Sequence, residues 1–338
     1  MLSKNRVIKS SLLLISTALI FTGCGGSSLA ATPAAKPAPK VLPAWISAPL
    51  PSDNDKFMYG MSVESDREGA IKAALSDMIA KLGTTIESTY ESNEEVQGAF
   101  VSSNVKNQIK SGVSKVKINN YKVIKSHKVS YREFAVMIET DKQKFVKGLK
   151  ENLEVQKKSI SQKYADLKGR DALTRYNTKK ELSQSASELV SEVLIIAELD
   201  KSFNKKENLD FINKKEKEFL AESTSLKFFV SGNRKSAKFA DSIKNYLAQN
   251  GYNVTSSKRN AVQIKINTTD RISGRIAILT VNVGVFDKKQ RIGGKSVIVK
   301  ERYNGSMASA YKNASIHLEQ DIKSQGINEV IGINLKLD

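Results

Sequence analysis

The chain has 338 residues, 40% of them hydrophobic, with 54 lysines and arginines against 35 aspartates and glutamates. That composition supplies apolar surface for about two cores and too little for a polytopic membrane protein. The formal charge is +19; one cysteine excludes an internal disulfide, and with only two histidines beside it a zinc site is disfavoured.

Residues 1–23 read as a lipoprotein signal peptide. Lys4, Arg6 and Lys9 form a positive opening, followed by an apolar run from Leu12 to Phe21. The run is shorter than the roughly 20 apolar residues a bilayer span needs. Phe21-Thr22-Gly23-Cys24 resembles a bacterial lipobox, with Phe where Leu is usual. The resemblance implies cleavage before Cys24 and covalent lipid on its thiol and new amino group, which would hold the protein to a membrane. No acidic residue follows Cys24 directly, which favours the periplasmic face of an outer membrane. Residues 24–42 are rich in Gly, Ser, Ala and Pro, and without bulky apolar side chains they read as an extended tether.

The expected fold class is α+β, built from a small sheet-plus-helix domain, a helical hairpin or three-helix middle and a second α+β domain. The first domain spans 43–143. A strand at Phe57 to Val63 precedes a capping box at Ser65 and Glu68. A helix follows with Ala70, Ile71, Ala74, Leu75, Met78, Ile79 and Leu82 on one face, stopped by Gly83. Thr84 to Ser92 is rich in β-formers, about 95–113 reads as helical or irregular, and Glu94-Glu95 as a solvated loop. Strands at 116–126 and 131–140 would turn at Ser126 to Ser130. Trp45 is expected to pack on this domain, and Gly60 to mark a close approach of two elements. Pro43-x-Trp45, Tyr59-Gly60-Met61-Ser62 and the Ala-rich run Ala70 to Ile79 resemble the LPP-twenty (twenty-kilodalton) lipoprotein family. That resemblance covers about 100 residues. It implies an envelope-attached α+β domain of a kind found in surface lipoproteins and in flagellar outer-membrane rings and disks, and it brings no catalytic residues.

Residues 144–224 carry a helical stripe at Leu149, Leu153, Ile160, Tyr164 and Leu167, and a second helix through Leu182 to Ala197. Gly169 to Thr178 reads as a loop between them, and Leu209 to Leu220 as a third helix. The heptads are too few to specify an intermolecular coiled coil.

Residues 225–338 alternate strands and helices. Strands are expected at 226–230, 252–255, 261–267, 276–286, 295–303 and 330–337, with helices around 239–247 and 306–324. Both phases of 276–286 are apolar, which marks a central strand. The pattern resembles the small domains of TolB-like and curli-secretion-like envelope proteins. This third of the chain holds 19 basic and 8 acidic residues, +11 of the total +19. Such asymmetry predicts attraction to polyanions, and Arg234, Lys235, Lys238, Lys258, Arg259, Lys288, Lys289, Arg291 and Lys295 are the candidate contacts.

Catalytic signatures fail. Gly293-Gly294-Lys295-Ser296 resembles the end of a phosphate-binding loop, yet Lys289 stands where the first glycine belongs and the segment lies between strands. His127 and His317 fall in different domains, away from any G-x-S-x-G. The sequence therefore predicts no enzyme, no metal and no cofactor beyond the lipid on Cys24. It predicts a structural or scaffold lipoprotein, one version being flagellar ring or disk assembly. The alternative is a transport or assembly accessory whose basic domain binds an anionic envelope polymer. Expected partners are the membrane, through the anchor, and envelope proteins or peptidoglycan, not nucleic acid. The oligomeric state is left open.

Overall fold

The computed structural model describes residues 42–97 and 112–336. Cys24, the tether and most of the 95–113 segment lie outside them. The architecture is α+β, as expected. Helix α1 (Ala44–Ser47) precedes strand β1 (Phe57–Glu64) and helix α2 (Arg67–Gln97), and strands β2 (Tyr121–Ser130) and β3 (Glu133–Asp141) follow. The three strands form an antiparallel sheet in the order β1-β3-β2. Ala70, Ala74, Met78, Leu82 and Ile86 of α2 are buried in one cluster with Met58, Val136 and Ile138 of the sheet. Gly60 is the close approach: a Cβ there would lie 2.2 Å from the Ala74 carbonyl oxygen.

Helix α2 does not stop at Gly83, and Thr84 to Ser92 is helical rather than extended. Ile86 continues the apolar stripe, so burial of one helical face outweighs local β propensity. Gly83 instead makes room for a neighbour, since an added Cβ would come within 3.2 Å of Val113 Cγ1. Glu94 and Glu95 consequently stand on a helix, not in a loop. Asp66, not Ser65, caps it, its Oδ1 accepting the Gly69 N–H at 2.8 Å. The β2–β3 turn falls at Tyr131-Arg132, because cross-strand pairs such as His127 with Ala135 keep 126–130 extended. Trp45 is only half-buried, with the Lys125 ammonium 5.9 Å from its ring centroid.

The middle of the chain is four helices, one more than the pattern suggested. They are α3 (Lys142–Ala165), α4 (Ala172–Ser187), α5 (Val190–Leu199) and α6 (Lys205–Ser225). Asp171 accepts the Leu173 and Thr174 N–H groups at 3.0 Å, which starts α4 inside the stretch expected to be a loop. The helix expected through 182–197 is broken around Glu188 and Leu189 into α4 and α5. Leu149, Leu153, Ile160, Val193, Ile196 and Ile212 join the core beneath the first sheet. Glu222 on α6 ties back to α4, accepting Lys179 Nζ at 2.7 Å and Arg175 Nε at 3.1 Å.

Helix α4 serves two cores. Leu182 and Ala186 belong to the first, while Leu173 and Tyr176 belong to the second. The second is built from strand β4 (Lys227–Gly232), a 3₁₀ turn (Arg234–Ser236), helix α7 (Ala237–Gln249) and strands β5 (Asn253–Val254), β6 (Val262–Ser273), β7 (Ile276–Asp287), β8 (Gln290–Gly293) and β9 (Ser296–Arg302). Helices α8 (Met307–Gln325) and α9 (Ile327–Ile331) complete it. The sheet order is β5-β4-β6-β7-β8, with β9 also on β7. Strand β4 is parallel to β5 and β6, and the remaining pairs are antiparallel. Strand β7 is central in the sheet, as expected, although its outer phase is half-exposed and not buried.

The expected last strand is not formed. Gly332, at φ +70°, ends α9 and leads into an irregular segment whose Ile333 and Leu335 are buried. The Gly332 carbonyl accepts the Gly294 N–H at 2.9 Å. Asn177 of α4 holds the same segment, donating to the Asn334 carbonyl at 2.9 Å and accepting the Lys336 N–H at 3.0 Å. The glycines of Gly293-Gly294-Lys295-Ser296 are accounted for by this crossing. Added Cβ atoms would lie 2.5 Å from the Gly332 oxygen and 2.1 Å from the Val283 oxygen.

Candidate binding face

Period-two alternation in β6, β7 and β9 sorts their side chains onto two faces. Ile264, Ile266, Thr268, Ala277, Leu279, Val281, Val283, Val285, Val299 and Glu301 are buried on one side. Phe239, Ile243 and Leu247 of α7, with Ala314, Leu318 and Ile322 of α8, share that core. The opposite, outer face carries the residues between them. The pairing register sets them in rows: Arg271-Ile278-Lys300, Thr269-Thr280-Ile298, Asn267-Asn282-Ser296 and Lys265-Gly284. Phe286 pairs with Gln263 and Arg291 at the far end of this face. Its ring lies across Gly284, where a Cβ would be 2.7 Å from a ring carbon, and the Lys265 ammonium stands 4.9 Å from its centroid.

Charge is sorted by the same alternation. Lys227, Lys265, Arg271, Arg291, Lys300 and Arg302 fall on the outer phase of their strands and are exposed. The carboxylates of these strands are turned to the other side or consumed. Asp270 pairs with Lys235, a hydrogen bond that holds its carboxyl below the ordinary aspartate range. Asp287 accepts the Ala172 N–H at 2.9 Å, and buried Glu301 lies 2.5 Å from His317 Nδ1. Among the described residues none of the six outer cations pairs with a carboxylate. The result is a sheet face with cations, amides, hydroxyls and isolated aliphatic groups. Arginines so placed can bind phosphate or carboxylate through two N–H donors at once, and lysines act as point charges.

The nine cations predicted from sequence do not converge. Arg234, Lys235 and Lys238 follow the C-terminal end of β4. Lys258 and Arg259 lie in the loop between β5 and β6, and Lys288 and Lys289 form the β7–β8 turn. Counting from Asp270, beside Lys235, to Gln263, opposite Phe286, separates the two ends by about 23 Å of strand. Lys235 is neutralised by Asp270, and Lys295 donates to the Glu329 carbonyl at 2.6 Å and carboxylate at 3.2 Å. Of the nine, Arg291 alone stands on the outer face. Lys227, Lys265, Arg271, Lys300 and Arg302 were missed because charge was sought in runs. Their signal was alternation: in Lys300-Glu301-Arg302 and Asp270-Arg271 the cations share one phase and the acids the other.

A second concavity, about 1040 Å³, lies among α3, α4, α5 and α6, lined in part by Asn152, Gln156, Ser183, Ser187 and Glu192. Glu192 accepts Asn152 Nδ2 at 2.9 and 3.2 Å. Burial pushes its carboxyl above the ordinary range, and the Asn152 hydrogen bond opposes this. The described lining of this concavity also includes Lys115, Lys117, Glu188 and Glu216, and no histidine or cysteine. Among the described residues, no group of three or more His, Cys, Asp or Glu could hold a metal, and no helix is long and apolar enough to cross a membrane. His127 lies on β2 and His317 on α8.

No protein-family model matches the chain, and no curated relative was found. Among solved structures it is similar to the secreted protein HP1454 from Helicobacter pylori, at 12% identity and a TM-score of 0.45, covering 80% of this chain and 98% of that one. It is also similar to a minor lipoprotein from Acinetobacter baumannii, at 15% identity and a TM-score of 0.23, covering 29% of this chain and 93% of that one. Scores this low do not establish a common fold.

Proposed function

We propose that this chain is a lipid-anchored envelope lipoprotein without catalytic activity, a scaffold or assembly accessory that engages an anionic partner through the outer face of its C-terminal sheet. The observation that carries the reading is the sorting of charge: six exposed cations and no carboxylate on one phase of the strands. Cys24, through its lipid, would supply membrane attachment, and the Pro/Ala-rich tether a reach of at most about 60 Å. The flagellar version of the scaffold role rests on the sequence resemblance alone. The binding role has the support of the sheet geometry and is therefore preferred.

The test uses the leaderless chain with Cys24→Ser and inorganic polyphosphate as the probe. Binding at 0.15 M salt should fall steeply at 1 M, as the Debye length shrinks from about 8 to about 3 Å. Lys265→Glu/Arg271→Glu/Lys300→Glu should abolish it, and Lys258→Glu/Lys288→Glu/Lys289→Glu should leave most of it. Equal loss in the two triple variants would sink the outer-face assignment.

A further inference from the structure

The far end of the outer face has a different composition from its middle. Strand β6 loses its β4 partner after Ile266; Asn233, Ser236 and Lys235 hold it through Asn267, Thr268 and Asp270, and Arg271 to Ser273 run on beyond them with β7 beside them. The β6–β7 connection is the two-residue turn Gly274-Arg275, with Gly274 at φ +59°. Ile272 is 49% exposed on one side of this tip and Ile276 46% exposed on the other, and Ile298 of β9, opposite Thr280 further along the outer face, is 63% exposed. Arg271, Arg275, Lys300 and Arg302 surround them, all exposed and none paired with a carboxylate among the described residues. The Arg275 carbonyl accepts the Tyr303 N–H at 2.8 Å, which fixes the tip against the end of β9.

We propose that the β6–β7 tip is a contact for an anionic phospholipid bilayer, with Ile272 and Ile276 entering the headgroup–acyl boundary and the four cations meeting lipid phosphates. This deepens the preceding proposal and rests on its reading of the outer face as a site for anions. The aliphatic groups single out a bilayer. A soluble polyanion offers nothing to bury them in, whereas an interface rewards isolated apolar side chains set among arginines. Each cation near an anionic membrane contributes about fivefold in affinity. A lipid chain on Cys24 and a contact at the tip would together attach the molecule at two points, raising effective concentration without any new site.

The experiment compares vesicles of phosphatidylglycerol and phosphatidylcholine, vesicles of phosphatidylcholine alone, and polyphosphate, all with the leaderless Cys24→Ser chain. The wild-type chain should co-sediment with the anionic vesicles at least tenfold more tightly than with neutral ones. Ile272→Ser/Ile276→Ser should weaken vesicle binding about tenfold and leave polyphosphate binding unchanged, because both side chains are at the surface and carry little of the core. Arg271→Glu/Arg275→Glu should weaken binding to the anionic vesicles as well. Vesicle binding unchanged by the serine pair would overturn the inference. So would binding of polyphosphate without binding of vesicles, which would leave the outer-face reading standing. Failure of both probes would overturn both proposals.

Discussion

Strand β3, at the centre of the first sheet, is enclosed where β7, at the centre of the second, is open on one face. Along β3, Ala135, Val136, Met137 and Ile138 are all at most 2% exposed, so adjacent residues on opposite phases are both buried. Along β7, burial alternates: Ala277, Leu279, Val281, Val283 and Val285 are inside, and the residues between them are half-exposed. Val136 and Ile138 face α2 and the core it shares with the helical bundle, whereas the edge strand β2 has no buried residue. In the second, α7 and α8 pack on one face, and among the described residues the outer phase of β6, β7 and β9 is half-buried to exposed. A strand enclosed on both sides has no surface left to recognise anything, whereas the outer phase of β6, β7 and β9 is free to carry charge that folding does not require.

The largest consequence concerns matched phenylalanines. Phe228 is fully buried and meets Tyr252 edge-on at 5.6 Å, so Phe228→Ala should cost about 4 kcal/mol in urea unfolding. Phe286, on the open face, should cost under about 1 kcal/mol when replaced by Ala. Similar losses would break the contrast between the faces. Matched glycines give the next effect. Gly60→Ala would drive a Cβ against the backbone of α2, and should destabilise by roughly 2 kcal/mol. In Gly284→Ala the nearest atoms are those of the Phe286 ring, which can swing aside, and the change should stay within about 0.5 kcal/mol.

The smallest effect is a pair of opposite pH slopes. Burial raises the folded-state carboxyl of Glu192 in the bundle, so its ionisation costs stability as pH rises through that raised value; the cost is absent below the unfolded pKa of about 4.3. Glu192→Gln should therefore raise Tm at neutral pH by no more than about 2 °C and not at pH 4. In the second sheet the Lys235 hydrogen bond depresses Asp270. Its contribution is present above about pH 3.9 and lost as pH falls through the depressed value. Asp270→Asn should thus lower Tm slightly at neutral pH and cease to matter in acid. Equal slopes for the two variants would mean that these carboxyls do not differ in environment.

Much of the second sheet was legible because alternation there is strict. The 276–286 run announced a central strand, and its partner at 295–303 was placed within a residue or so. The first region was harder. Gly83 read as a stop because its helix is followed by threonines, but the reason for glycine lies in Val113, thirty residues away, and no local pattern reports such a neighbour. Asp171 could have been read as a cap, and the polar residues after it hid the start of α4. The terminal segment looked like a strand because Ile331, Ile333 and Leu335 alternate, yet Gly332 and Asn177 hold it outside the ladder. The cationic face was missed for a related reason: a run of charge is conspicuous in sequence, whereas charge on one phase of three strands becomes a patch only once the register is known.

Strand β9 is also an edge. It pairs with β7, and no strand is seen on its other side among the described residues. The outward-pointing N–H and C=O groups of this seven-residue strand, with an exposed isoleucine, form a template on which a second chain could add. Lys300 and Arg302 on the outer phase oppose that addition, since two copies brought edge to edge would place like charges side by side. The same side chains that make this face cationic therefore guard its edge against pairing with a second copy. Charge-neutral substitutions at Lys300 and Arg302 would trade solubility along with affinity, and an anion bound there would partly remove the guard.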